Sequence, residues 1–507
     1  MSPDHRADPR PSGRGLGLST RVQVSGHLFL ARRAALALTR RRVRMEYEPG
    51  RRQTMAVIAS ITVAAVICIG ALLWSFLKPA ASLGDSPIIQ DSESGALYVK
   101  VGNTLYPALN LASARLISGR PDNPTKVRST EISAQPHGAL VGIPGAPSQL
   151  STTTPQTSSW AVCDTVTAAV GPGAPEPVTV TVIDGAPTLG DRHHVLGDAD
   201  AVVLKYGDDS WVIRGGRRSR IDPAARSVLL ALGLTPEQVS GARPMSRAFF
   251  EALPVGPELA VPTVPDAGNP ARFPGAPGPV GTVVVTPQVT GPQQYSLVLD
   301  DGVQTVSPVV AQVLQNAGGS PGAALPVVTP AALAKMAVVP GIDVSAYPSG
   351  PLQVVDTHAE PATCWWWQRT QGEPQARTEV VSGPNLPIPS DQTAKLVSLV
   401  KADTSGAEAD QVFFGPGFAN FVVVTGNDPA AATAESLWWV SESGVRFGVD
   451  RDREALTALG LTTAPRPAPW TVVRLLAAGP ILSRADALVR HDTLPSDMTP
   501  GKLEIPK

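Results

Sequence analysis

Met55 to Leu77, MAVIASITVAAVICIGALLWSFL, is an apolar run without a single charge. Arg51 and Arg52 precede it, and Lys78-Pro79 close it. About 20 apolar residues cross a bilayer as one helix, because hydrocarbon offers backbone N–H and C=O groups no outside partner. The run predicts a single transmembrane helix at 55–77, with all later residues on one side of the membrane.

Orientation follows from charge. Residues 1–54 hold twelve Arg, no Lys and four acids, whereas the whole chain carries −1. The positive-inside rule keeps this basic segment cytoplasmic and makes the bulk of the chain extracytoplasmic. A cleaved signal peptide is the alternative, but its apolar core is about 7–15 residues with a small-residue cleavage site behind it. The run here is longer and stands behind the whole basic segment, so an uncleaved anchor is expected. Within the basic segment, Ser19-Thr20 is placed to cap a helix running to about Met45. Val24, Leu28, Ala31, Ala35 and Leu38 recur on one helical face, with Arg33, Arg40 and Arg44 opposite. Such a helix lies on anionic lipid or docks on a partner. Setting topology alone is the plainer role for the same arginines.

Charged residues make only 17% of the chain, and no basic stripe follows the span, which argues against nucleic acid. Cys68 lies inside the span as a small apolar side chain. Cys163 and Cys364 fall on the oxidising side and read as a disulfide. Two unpaired buried thiols are the alternative. A zinc site is poorly supported, since no C-x-x-C and no His at ligand spacing accompanies them.

Beyond the span the sequence repeats weakly. An apolar strand, a turn glycine, a helix-like run and a second glycine recur at LYVKVG (Gly102), WVIRGG (Gly216), LVLDDG (Gly302) and WVSESG (Gly444). The second glycines, Gly119, Gly233, Gly318 and Gly460, follow the first at a nearly constant spacing. The first glycine of each pair suits a hairpin turn, and the second suits the left-handed position that ends a helix. The last three copies continue as a helix stopped by Pro254, Pro340 or Gly479-Pro480. The starting glycines are unevenly spaced, so the copies are not a solenoid of fixed period. Two inserts separate them, each with one cysteine. They carry the strand-like runs 178–183, 199–206, 378–383 and 420–426. A disulfide between the inserts would tie them into one central domain and close a loop of about 200 residues.

The expected fold class is α+β: a single N-terminal transmembrane helix, then an elongated extracytoplasmic part of four small αβ repeats around a disulfide-linked, mainly β central domain. The expected divisions are a cytoplasmic segment 1–54, the span 55–77, repeat 1 at 78–135, a first central insert at 136–200, repeat 2 at 201–265, repeat 3 at 280–348, a second central insert at 349–432, repeat 4 at 433–495 and a tail 496–507.

The segments STRVQVSGHLFLARR, RRVRM and SPIIQDSESGALYVKVGNTLYPALNLASARLI, with one span and four repeats around two cysteines, resemble EccB over about residues 19–495. EccB is a membrane component of the mycobacterial type VII, or ESX, secretion system. The resemblance implies an inner-membrane location with a cytoplasmic N-terminus and a periplasmic bulk. It also implies repeats distantly similar to a phage lysin's wall-binding subunit, and dimers within a hexameric complex with EccC, EccD, EccE and sister EccB copies, beside a mycosin protease. It makes EccC the P-loop motor and implies a structural role in exporting small effector proteins.

Some EccB proteins carry an ATPase label. A P-loop needs G-x-x-x-x-G-K-[ST] to cradle phosphate, and the one Gly-Lys here is Gly501-Lys502, followed by Leu503. One G-x-S-x-G centres on Ser320, but Pro321 lacks the N–H that an oxyanion hole needs. His193-His194 reads as a solvated loop, and Asp208-Asp209 and Asp300-Asp301 as turn formers. No catalytic residue, cofactor or metal ligand is therefore assigned. Trp365, Trp366 and Trp367 are the unusual cluster. They are candidate interface aromatics able to stack on sugars or line a partner, or else core packing against the disulfide. Trp438-Trp439 is expected inside the fourth repeat. A peptidoglycan-binding module using exposed aromatics or repeat grooves is the alternative to a secretion scaffold. A membrane-anchored hydrolase lacks a coherent nucleophile, base or metal set.

Overall fold

The computed structural model describes residues 20–40, 49–77, 84–318, 324–400 and 408–494. Two compact units divide the chain, Met1–Pro79 and Ala80–Lys507. The first holds α1 (Arg21–Arg40) and α2 (Pro49–Leu77). α2 opens on a proline, whose missing N–H would be unpaired in a first turn anyway. Its stretch Thr54–Leu73 is long and apolar enough to cross a membrane, in agreement with the predicted span. Two hydroxyls in this stretch turn back on their own helix: Ser60 Oγ donates to Ala56 O and Thr62 Oγ1 to Ile58 O, both at 2.8 Å. The expected extension of α1 to Met45, Arg44, Ser320 and the tail 496–507 lie outside the described residues.

The second unit begins with β1 (Ile88–Asp91), β2 (Leu97–Val101), β3 (Thr104–Pro107), α3 (Leu111–Ser118), β4 (Thr125–Val127), α4 (Ser129–Ser133) and β5 (Leu140–Val141). Then come β6 (Thr157–Val166), β7 (Val178–Asp184) and β8 (His194–Val195). Next are β9 (Asp200–Tyr206), β10 (Asp209–Arg214), β11 (Arg217–Ile221), α5 (Arg226–Leu232), α6 (Pro236–Ser240), β12 (Arg243–Pro244) and α7 (Arg247–Ala252). The third group is β13 (Val283–Thr286), β14 (Gln294–Val298), β15 (Val303–Val306), α8 (Pro308–Ala317) and α9 (Pro330–Leu333). After these run β16 (Gln353–Val354), β17 (Ala362–Thr370), β18 (Arg377–Gly383), β19 (Val397–Ser398) and β20 (Gln411–Phe414). The last group is β21 (Phe421–Thr425), β22 (Thr433–Val440), β23 (Val445–Val449), α10 (Arg453–Leu459), β24 (Arg466–Pro469), α11 (Trp470–Val473) and β25 (Ala477–Ala478).

One plan recurs four times. Three strands form an antiparallel meander, a helix follows, and the chain returns parallel beside the first strand, in β4, β12, β24 and the bridge Val285–Val327. A short closing helix then leads back to the third strand through parallel bridges at Leu105–His137, Arg218–Val255, Val303–Val338 and Val449–Leu482. Small polar residues cap α3, α7, α8 and α9: Asn110 Oδ1, for example, accepts from Ser113 N at 2.9 Å, and Ser246 Oγ from Phe249 N at 3.0 Å.

This plan corrects the sequence-based limits of the repeat. Each copy starts one strand earlier than the LYVKVG-type signature. The runs 199–206 and 420–426, expected in the inserts, supply β9 and β21 and pair inside repeats 2 and 4. A short apolar run has no mark of which sheet it joins, and tertiary pairing decides. The first copy also has a closing helix, α4, which its polar STEIS sequence hides.

The insert strands make one seven-stranded sheet of order β19-β20-β7-β6-β17-β18-β8. At its centre β6 and β17 run antiparallel with Cys163 directly opposite Cys364. β7 flanks β6 as β18 flanks β17, so a pseudo-twofold axis passes through this cysteine pair. Repeat–insert–repeat in the first half thus corresponds to repeat–insert–repeat in the second. One apolar core joins a face of the sheet to α7 and α11. A second joins repeats 2 and 3 through α5 and α8, and a third joins repeats 1 and 4 through α3 and α10.

Candidate functional site

Cys163 and Cys364 form a disulfide across 201 residues, and both are buried. The side-chain alternation of β17 sorts the three tryptophans. Trp366 shares the disulfide's face and packs with Ile183, Val381 and Phe413, and its Nε1 donates to Ser159 Oγ at 2.7 Å. Trp365 and Trp367 point the other way, into the core with Trp160, Phe249 and Leu475. All three are at most 1% exposed. This corrects their assignment as interface aromatics: they are core residues, and burial leaves this cluster no face to stack on a glycan or a partner. Trp439 is buried in the repeat 1–repeat 4 core, while Trp438 is only partly buried and stacks on Trp470 at 5.3 Å.

Three of the four turn glycines, Gly102, Gly216 and Gly444, have φ of 62°, 73° and 82°, the left-handed region that favours glycine. Gly302 departs from the expectation. Its φ is outside that region, and glycine is needed because a Cβ there would collide with Ala337 O. The helix-ending glycines divide the same way: Gly119, Gly233 and Gly460 are left-handed, but Gly318 has φ −71°.

In the first unit, Arg33 lies over the Phe29 ring at 5.4 Å, one turn away. The basic face of α1 is therefore interrupted by an aromatic. Arg40 is the last residue of α1. His193 and His194 sit at the β8 edge of the central sheet, where His193 Nε2 is 2.9 Å from Asn385 O and His194 Nδ1 is 3.6 Å from Glu360. Among the described residues no three His, Cys, Asp or Glu side chains converge as a metal site. Asp209 pairs with Arg220 at 2.8 Å, and Asp300 pairs with Arg272, both at hairpins.

The structure also brings together residues without a sequence signature. Two positions after the turn glycine, Arg218 lies over Phe250 at 3.8 Å and donates to Leu253 O at 2.6 Å. Arg446 lies over the stacked pair Trp438 and Trp470, 5.1 and 5.3 Å from their rings, and donates to Leu476 O at 3.1 Å. Each clasps a closing helix to its hairpin. Gln304, at the same place in repeat 3, exchanges two 2.8 Å hydrogen bonds with the Ile342 backbone. Between α7 and α11, Glu251 pairs with Arg474. Asp164 is buried beside the disulfide and accepts from Ser246 N and Oγ at 2.6 and 2.7 Å. Burial, helped by nearby Asp410, pushes its carboxyl up to about 7 against those two hydrogen bonds. Burial likewise holds Asp184 well above the usual carboxylate range, although Ala419 N donates to it. These groups serve packing between repeats and sheet: each buried acid faces backbone donors and not an open cavity.

Comparison with known proteins agrees with this architecture. The family model described as type VII secretion system ESX-1, transport TM domain B (EccB), matches residues 16–496. The chain is 66% identical over 498 residues to the ESX-5 secretion system ATPase EccB5 of Mycobacterium tuberculosis H37Rv, covering 98% of each. It is 44% identical over 485 residues to the ESX-2 secretion system ATPase EccB2 of that species, covering 95% of this chain and 97% of the relative. A chain of an intact ESX-5 inner membrane complex superposes with a TM-score of 0.78 at 64% identity, covering 98% of this chain and all of that one. The EccB3 dimer from the ESX-3 core complex gives 0.70 at 38% identity, over 80% of this chain and all of that one. The protein belongs to the EccB family of type VII secretion membrane components.

Proposed function

We propose that this chain is an assembly component of an ESX-type inner-membrane complex, anchored by α2 with its basic end in the cytoplasm and its four-repeat unit in the periplasm. The observation that carries the reading is correspondence over nearly the whole chain to a subunit of an intact ESX-5 inner membrane complex. Sister copies are the first partners, since a relative is solved as a dimer. EccC, EccD, EccE and a neighbouring mycosin protease follow from the family resemblance. The division into a cytoplasmic segment, four repeats and a disulfide-centred core serves this role by presenting several repeat faces from one covalently closed centre. Relatives bear the name ATPase. Here the one Gly-Lys in the sequence is Gly501-Lys502 in the tail, so we assign energy supply to a P-loop partner.

The test is extraction of tagged full-length protein from its native membrane in mild detergent, with native sizing and mass spectrometry of co-purifying chains. A species far larger than a dimer, containing a P-loop motor and multi-span partners, is expected. A lone monomer or dimer that hydrolyses ATP by itself would overturn the proposal.

A further inference from the structure

Repeats 2 and 4 occupy corresponding places in the two halves, and strand register fixes which residues correspond. Ile213 faces Arg218 across β10–β11 as Val440 faces Arg446 across β22–β23. On the other side, Val212 faces Val203 as Trp439 faces Phe421. Leu204 therefore matches Val422. The residues beside these two on the parallel return strands, Arg243 and Arg466, match each other. Arg243 is 6% exposed and Arg466 9%.

The two guanidiniums are partnered very differently. Arg243 Nε holds Glu176 at 2.9 Å, Nη1 donates to Thr357 O at 2.7 Å and Nη2 to Val166 O at 3.2 Å. Arg115, the third arginine buried this deeply among the described residues, also uses its whole fork, on Asp122 O, Leu459 O and Asn123 Oδ1. Arg466 makes a single long hydrogen bond, from Nη2 to Thr154 O at 3.5 Å. Its Nε is enclosed without a partner. Its Nη1 also has no partner among the described residues, but is not enclosed, which leaves the outer edge of the fork open.

The strands explain why the second arginine lacks a carboxylate. Val178 faces Val166 as Thr378 faces Trp367, so Glu176, two residues before Val178, matches Ala376. The methyl group of a buried alanine stands in the sequence where the first half has an acid. A guanidinium sunk this far without a counter-charge is costly, and the charge calls for an anion. The linker that reaches Arg466 offers further donors. Thr152, Thr153 and Thr154 are all half-buried there. Thr153 N donates to Asn420 Oδ1 at 2.8 Å, yet none of the three hydroxyls is hydrogen-bonded among the described residues. A guanidinium edge beside free hydroxyls is a donor set without an acceptor, the chemistry that holds a small anion.

We propose that Arg466 binds a small monovalent anion from solution on the open edge of its fork, with the threonine linker supplying hydroxyl donors. The anion takes the role that Glu176 has for Arg243. This goes beyond the assembly role and does not rest on it.

Thermal unfolding of full-length protein in uncharged detergent tests the site, with sodium chloride or sodium acetate exchanged at constant ionic strength against the bulkier sodium isethionate. A saturable rise in midpoint of about 1–2 °C is expected. The stronger of the two probes tells a halide from a carboxylate as the occupant. Line broadening of the chloride NMR signal by the folded protein gives a second, stability-independent readout. Arg466→Met is expected to lose both the midpoint response and the broadening. Ala376→Glu, which copies Glu176, is expected to raise the midpoint in isethionate and to abolish the response to either probe. Should Arg466→Met not fold, Arg466→Lys replaces it, with binding weakened about tenfold through loss of the fork. A midpoint that follows ionic strength alone, or an anion response that survives in a folded Arg466 variant, would overturn the proposal.

Discussion

The two halves of the large unit share a backbone plan and differ in what fills it. The turn glycines Gly102 and Gly302 are separated by almost the same length of chain as Cys163 and Cys364, which stand 201 residues apart. Gly216 and Gly444 are farther apart, because the second half carries an additional run between β18 and β20. About the cysteine pair, Asp164 in the first half stands where Trp365 stands in the second. One fastens the start of α7 by hydrogen bonds, and the other fills the same core with a ring. The two clasps, Arg218 and Arg446, are alike, yet Val212 and Ser219 stand beside one where Trp439 and Phe447 stand beside the other. The plan tolerates these exchanges because the hydrogen-bonded ladder is indifferent to side chains. Each face then needs only a filling that matches its neighbour.

This correspondence yields a ranked set of tests. Cys163→Ser removes the cross-link on the axis and should cost about 2–5 kcal/mol in non-reducing denaturant unfolding. An unchanged midpoint would break the claim that the two halves are held through this point.

Asp164→Asn comes next. The folded-state pKa of Asp164, about 7, lies above its ordinary 3.8. Its contribution is therefore fully present below about pH 4 and is lost as pH rises toward 7. One proton corresponds to a slope of about 1.4 kcal/mol per pH unit. The Asn variant should show a flatter fall in stability across that window, and an equal slope in both proteins would remove Asp164 as the source.

Arg218→Ala and Arg446→Ala should each cost about 1–2 kcal/mol, from a lost ring contact and a lost hydrogen bond to the closing helix. Similar losses in thermal unfolding would sharpen the correspondence of repeats 2 and 4. A neutral result in one alone would break it.

The smallest effect separates repeat 3 from the rest. Gly460→Ala, at φ 80°, should cost about 1 kcal/mol, while Gly318→Ala, at φ −71°, should be neutral or slightly stabilising. Equal costs at both would contradict the distinct helix end in repeat 3.

Much of this is legible from local patterns. An uncharged run as long as Met55–Leu77 admits few structures other than a membrane helix. The paired glycines mark the hairpin and helix end of most copies because a positive φ selects for glycine in one residue. The two cysteines that follow the apolar run have one possible partner each beyond it. Other features mislead. The glycine signature misplaces each copy's first strand and aligns Trp211 with Trp439. The observed register matches Trp211 with Trp438 instead, because the repeat 4 turn holds one more residue. Turn length sets register, and a one-residue change moves every side chain to the other face. The WWW cluster is ambiguous for a related reason. Aromatics suit an interface or a core equally, and only the sheet that closes over them decides.

The sequence alone thus determined the membrane anchor, the recurring glycine turns and the cysteine partnership, all features that depend on solvent, backbone angle or covalent chemistry within a short stretch. Tertiary structure decided the pseudo-twofold axis, the burial of Trp365, Trp366 and Trp367, and the elevated carboxyl of Asp164. Each of these depends on which surface, far away in the chain, comes to lie against a given side chain. Such packing energies are non-local and leave no periodic mark in the residues that supply them.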